Sequence, residues 1–100
     1  MNERLIYEWL RPELKGAPWH KGSARLGPMA YIGSDTSQWF YIPKLDMNTW
    51  HGEVVPKLKQ EGASICFHST NGCPWEVDGD GYGCSDDPWL ALTAYLEAGL

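Results

Sequence analysis

No stretch of the chain approaches the roughly 18 consecutive apolar residues of a membrane-spanning helix, so no membrane association is expected. Cysteine is scarce and odd in number. Three thiols cannot all pair within one chain, which argues against a secreted disulfide framework and for reduced thiols. The phosphate-cradling G-x-x-x-x-G-K-[ST] loop, the dinucleotide turn G-x-G-x-x-G and the zinc-protease helix H-E-x-x-H are all missing. Nucleotide, dinucleotide and zinc-protease chemistry therefore lack their physical scaffolds. The start Met1-Asn2-Glu3-Arg4 lacks the basic-then-apolar layout of a secretory signal, and cytoplasmic residence is the expectation. Basic residues are nearly missing from one half: residues 51–100 hold two Lys/Arg against eight Asp/Glu, whereas residues 1–50 hold six against five. The net charge of -5 thus belongs to the second half, whose surface should repel nucleic acid and attract basic partners.

Against these absences stand six tryptophans and 43% hydrophobic residues in 100, enough for one compact domain and too little for a second core. The clearest order of signals runs from Ala63 to Leu100. Ala63 to Ser69 alternates apolar and polar residues, with Ile65 and Phe67 on one face, and meets Asn71-Gly72, which supplies the positive φ of a tight hairpin. Cys73 to Val77 reads as the returning strand, and Asp78-Gly79-Asp80-Gly81-Tyr82-Gly83 as a loop. Ser85-Asp86-Asp87-Pro88 then announces a helix to about Ala98, through a carboxylate cap followed by proline at the first helical position.

Upstream, Leu5, Ile6, Trp9 and Leu10 fall at helical spacing behind a capping Asn2, and Pro12 interrupts the helix. Residues 16–23 are rich in breakers and read as an exposed connection. There Arg11, Lys15, Lys21 and Arg25, with Trp19 and His20, resemble the basic and aromatic mixture of nucleic-acid surfaces; the plainer reading is a solvated loop anchored by one tryptophan. Leu26 to Ile32 suggests a strand, residues 33–37 a polar turn, and Gln38 to Ile42 a second strand, ended by Pro43. With Trp39 and Tyr41 on one face and Phe40 and Ile42 on the other, that strand is either covered on both sides or carries a binding surface. Asp46 or Asn48 can cap a helix bearing Trp50, Val54, Val55 and Leu58, which Gly62 stops. Pro56 requires that this helix be kinked, or that its regular part begin near Glu53.

The expected fold is α+β: a single domain with one small antiparallel sheet packed with helices, residues 1–37 forming an N-terminal helix and connection. Its core should hold Leu5, Ile6, Trp9, Phe40, Ile42, Trp50, Val54, Leu58, Ile65, Phe67, Val77, Leu92 and Leu96.

Chemistry is sparse. Cys66, His68, Cys73 and Cys84 are zinc-type ligands, but their spacing lacks the C-x2-C knuckles that bring thiolates together, so no metal and no cofactor are expected. Asp78-x-Asp80-Gly81 begins like a calcium loop, yet no glutamate closes it at the twelfth position. Cys66 or Cys84 with His51 or His68 offers a nucleophile and base but no orienting third group, so catalysis is not expected.

Tyr41-Ile42-Pro43, a tryptophan-bearing helix through Val54-Val55, the hairpin Ile65 to Val77 and the closing Asp86-Asp87-Pro88-Trp89-Leu90-Ala91-Leu92 resemble the small phage and prophage proteins of the phage ABA sandwich type, over roughly residues 38–100. Residues 1–37 have no counterpart there, and Pro56 departs from the usual unbroken helix. The resemblance implies a phage-encoded accessory protein in the bacterial host cytoplasm, with no catalytic residues to transfer. The expected function is binding and inhibition or modulation of a host protein, such as a nucleic-acid-handling defence complex, without direct contact to nucleic acid. Glu76, Asp78, Asp80, Tyr82, Asp86 and Asp87 are the expected contact residues, the carboxylates steering a basic host surface and the tyrosine anchoring it. Such a protein should be a monomer or simple dimer. The alternatives are a virion or assembly component that self-associates through exposed aromatics, and a small zinc-stabilised protein or enzyme.

Overall fold

The computed structural model describes residues 2–24, 27–32, 39–68 and 74–99. The readings of the 33–37 turn, the Asn71-Gly72 turn and Cys73 fall outside them. The architecture is α+β, in the order α1 (Glu3–Leu10), a 3-10 turn (Pro12–Leu14), β1 (Trp19–Ala24), β2 (Gly27–Ile32), β3 (Trp39–Tyr41), α2 (Met47–Thr49), a π turn (Trp50–Val54), α3 (Val55–Gln60), β4 (Ser64–Phe67), β5 (Trp75–Asp78), β6 (Tyr82–Ser85) and α4 (Pro88–Ala98).

The helices α1, α2 and α4 start where a short polar side chain can take an otherwise unpaired amide. Asn2 Oδ1 accepts from the Leu5 amide at 3.2 Å, Asp46 Oδ1 from Thr49 at 3.0 Å, and Asp87 Oδ1 from Trp89 at 2.8 Å and Leu90 at 3.2 Å. Pro56 lacks an amide hydrogen and is accommodated by widening the preceding turn. The Val55 amide reaches back five residues to the Trp50 carbonyl, and the regular helix resumes with Pro56 in its first turn. Gly62 then leaves the helix with φ of 77°, a conformation glycine adopts without steric cost.

The strands form two antiparallel sheets, not the one expected: β1-β2-β3 and β4-β5-β6. Two further expectations change with them. The stretch read as an exposed connection contains β1, which tolerates Gly22 in its interior: past Pro18 the residues alternate, Trp19 and Lys21 to one side, His20 and Gly22 to the other. The acidic loop ends earlier than expected, since Tyr82 to Ser85 pairs with Asp78 to Trp75 as a third strand.

Two cores follow from the two sheets, and α1 serves both. Ile6 and Leu10, four residues apart on one face of α1, pack with Trp50, Val54, Leu58, Val77 and Leu92, while Tyr7 turns to Leu14, Trp19, Ala30 and Ile42. The Trp50 ring meets Trp75 and Trp89 edge to face, with centroids 5.7 and 5.3 Å away. Such pairs add about 0.5–1.5 kcal/mol each beyond the area they bury. The elongated outline, 47 × 27 × 22 Å, accords with two cores side by side.

Of the expected core, Ile6, Ile42, Trp50, Val54, Leu58, Val77 and Leu92 are buried, and Leu5, Trp9, Phe40, Ile65 and Leu96 are half-buried. Phe67 is the correction: it is 59% exposed. It shares the inner face with Ile65 but ends the edge strand β4, whereas α4 packs on β6 and β5. Trp19, 5% exposed, makes the opposite correction, its indole Nε1 donating to Glu8 Oε1 at 3.1 Å.

Candidate functional site

Residues paired across β4, β5 and β6 share a face, so the register assigns the outer surface of the second sheet directly. Cys66, Glu76 and Cys84 make one cross-strand row, and Ser64, Asp78 and Tyr82 the next. The core-facing rows carry Ile65 and Val77, with Gly83 where α4 crosses. Carboxylates alternate with core residues along β5 and are thereby placed on the outer face.

Glu76, on the central strand, holds the middle of that surface. The Tyr82 hydroxyl donates to Glu76 Oε1 at 2.9 Å, and His68 Nε2 lies 3.3 Å from Oε2. Tyr82 is 51% exposed, so one edge of its ring is tethered while the ring remains open to contact. The bond to Glu76 raises the Tyr82 pKa above its ordinary value, with the charges of Glu76 and Asp78 acting in the same direction. Asp78 and Asp80 are exposed at the turn into β6.

Asp86 and Asp87 do not join this group. They follow β6, at the opposite end of the strand from Asp80, separated from it by roughly 10 Å or more of extended chain. Asp87 is engaged in capping α4, and Asp86 accepts from Ser85 Oγ at 3.2 Å. Asp86 and Asp87 thus lie past one end of β6 and Asp80 before the other, with Glu76 paired to Cys84 in between.

A cleft of about 410 Å³ opens next to Asp80, between α1, the β5–β6 turn and the C-terminal end of α4. Trp9, Leu5 and Leu96 supply its apolar lining, and Glu8, Glu61 and Asp80 its carboxylates. Trp9 Nε1 donates to both Glu61 oxygens, at 2.9 and 3.1 Å. Burial raises the Tyr95 pKa, and Glu61, Asp80 and Asp78 add to the rise by charge. Nothing in the sequence marks this cleft, because Glu8, Glu61 and Asp80 are brought together only by the packing of α1 on α4.

The zinc set is not assembled as read. Cys84 is disulfide-bonded and so supplies no thiolate, while Cys66 is a free, exposed thiol. The expectation of uniformly reduced thiols is corrected accordingly. Among the described residues no group of three or more His, Cys, Asp or Glu side chains comes together as a metal site, and no helix is long and apolar enough to cross a membrane. No family model, no curated protein and no solved structure matches the chain.

Proposed function

We propose that this chain is a small phage-type accessory protein, of the ABA sandwich kind it resembles, that binds and modulates a basic host protein in the bacterial cytoplasm and performs no catalysis itself. The observation that carries the reading is the outer face of the second sheet, where Glu76 holds Tyr82 beside Asp78 and Asp80. No Lys or Arg occurs from residue 61 to 100 to neutralise it. The magnitudes divide the work. Exposed carboxylates steer encounter and are screened by salt, whereas an anchoring aromatic can be worth about 2 kcal/mol when truncated. Glu76 already restricts the Tyr82 ring, which reduces the entropy lost when a partner closes over it. Asp86 and Asp87, past the far end of β6, contribute to the long-range field. The Cys84 disulfide bears on location, since reducing compartments open such bonds, and the binding test is therefore run with and without reductant.

The test is capture of a partner from host lysate, followed by surface plasmon resonance at two salt concentrations. Asp78→Lys with Asp80→Lys should slow association, most at low salt, and Tyr82→Ala should speed dissociation. Association of the charge-reversed protein at the wild-type rate at both salts would reduce the acidic face to a solubilising surface. Light scattering checks the expected monomer or simple dimer; larger particles would favour the assembly-component alternative.

A further inference from the structure

β4 is an edge strand, with β5 on one side and, among the described residues, no strand on the other. Its ladder shows which backbone groups this leaves open. The His68 amide donates to the Pro74 carbonyl at 2.7 Å, so His68 and Pro74 stand at a hydrogen-bonded position of the antiparallel pair. Such positions alternate. Cys66 and Ser64 therefore bond to β5 as well, whereas the amides and carbonyls of Ile65 and Phe67 turn away from it. Two donors and two acceptors line the free edge. Sheet edges are ordinarily protected by charge, proline or a bulge. Ser64-Ile65-Cys66-Phe67 has neither charge nor proline, and its register with β5 is unbroken.

A groove of about 540 Å³ opens along the same strand. Its far wall is helical: His51, Val55 and Lys59 recur at intervals of four residues and present one stripe to β4. The distance from His51 to Lys59 is about 12 Å of helix, the reach of roughly four residues of extended chain. The floor is aromatic. Trp75 meets Trp50 and Phe67, with centroids 5.7 and 4.9 Å away, and Phe67 stays 59% exposed because nothing covers its other side.

The charge of the groove differs from that of the acidic sheet face. No carboxylate lines it, while Lys59 stands at the end where β4 begins, exposed and without an ion pair among the described residues. Glu76 and Asp78 lie across from Cys66 and Ser64, on the outer face of the sheet. An occupant of this groove is accordingly extended, apolar where it meets Phe67 and Ile65, and negative where it meets Lys59.

We propose that the β4 edge takes up an extended segment of a partner protein as a fourth, antiparallel strand, with two alternate apolar side chains and then an acidic one turned into the groove. The residues opposite Phe67 and Ile65 exchange backbone hydrogen bonds with them, and residues directly opposite share a face, so their side chains enter beside Phe67 and Val55. Two positions further on, on the same face, a carboxylate reaches Lys59. Main-chain bonds hold such a segment and the alternate side chains select it. This surface is separate from the acidic outer face and uses none of its residues.

The probe is the fluorescein-labelled peptide acetyl-Ser-Val-Thr-Val-Thr-Glu-Ser-amide, followed by anisotropy. Wild-type protein should bind it, and in amide hydrogen exchange by NMR the Ile65 and Phe67 amides should gain protection on binding. Methylating the backbone nitrogen of both valines should weaken binding about ten-fold or more, since both donors are lost. Lys59→Glu should weaken it about three- to five-fold, and a peptide with Lys in place of Glu should restore it to that variant. Phe67→Ala should weaken it about ten-fold, whereas Tyr41→Ala, on the first sheet, should leave it unchanged. Circular dichroism of each variant separates lost contacts from lost folding. Absence of binding by the wild type, wild-type affinity for the methylated peptide, unprotected Ile65 and Phe67 amides in the complex, or wild-type affinity of the Lys59→Glu protein would each overturn the proposal. So would a dimer in light scattering that Phe67→Ala disperses while no peptide binds, which would assign the edge to a second copy of this chain.

Discussion

Single residues fix the ends of the elements here, and their removal should be measurable one at a time. Asp87 satisfies two amides at the start of α4, so Asp87→Ala should cost about 1 kcal/mol. In a domain of this size that corresponds to a melting temperature lower by roughly 4–8 °C. Asp86→Ala, which removes no helix cap, should stay within about 0.5 kcal/mol of wild type. If the two substitutions had equal effects in a thermal melt, the cap assignment would be wrong. Gly83 is constrained more severely: a Cβ there would overlap the Ala91 carbonyl oxygen, and the obstacle is backbone that cannot rotate away. Gly83→Ala should therefore cost about 3 kcal/mol, the upper end for overpacking, by forcing α4 off the second sheet. Urea unfolding with a wild-type midpoint would contradict this contact.

At the scale of elements, cover decides what a hydrophobic residue is worth. Leu92 and Phe67 both read as core from periodicity, yet the packing of α4 on β5 and β6 buries Leu92 completely and leaves the end of β4 open. Leu92→Ala should lose about 2–5 kcal/mol through lost burial and a residual cavity. Phe67→Ala should lose about 1 kcal/mol or less, since its chief ring contact is Trp75, at 4.9 Å. Comparing the two denaturation midpoints checks the division, and equal losses would mean that β4 is covered after all. Cys66 lies on the same edge strand as an exposed thiol and should react with a maleimide in the native protein without denaturant.

For the whole molecule, the directions of the pKa shifts set the pH range of stability. Tyr7 and Tyr95, raised by burial, and Tyr82, raised by its bond to Glu76, all ionise above the ordinary 10.0. Lys21, raised above 10.5 by its bond to Glu3, loses its charge late as well. A group whose folded pKa is raised contributes stability that is complete below the unfolded value and lost as pH rises through the folded one. Asp46, lowered from 3.8 by the Thr49 amide, contributes above that value and loses its share as pH falls through its folded pKa. Stability should accordingly be flat between about pH 4 and 10 as far as these groups are concerned, and fall on the alkaline side together with the appearance of tyrosinate absorbance. Urea midpoints that kept rising across pH 10 would contradict the assigned directions.

What the sequence determined by itself was local. Asn2, Asp46 and Asp87-Pro88 announced the helix starts and Gly62 a helix end, because a cap or a left-handed turn is made by a residue and its near neighbours. Alternation identified β4, the Asn71-Gly72 signal made β5 its returning strand, and the scarcity of Lys and Arg located the negative charge. The α+β class followed from these elements. Tertiary structure alone decided how the strands divided, since pairing depends on which edges meet after the chain has crossed tens of residues. That division buried Trp19, exposed Phe67 and turned Tyr82 from a loop residue into the strand partner of Asp78. It also set Asp86 and Asp87 at the opposite end of β6 from Asp78 and Asp80, and gathered Glu8, Glu61 and Asp80 around one cleft. Periodicity states which way a side chain points; only the packed neighbours state whether anything lies there to meet it.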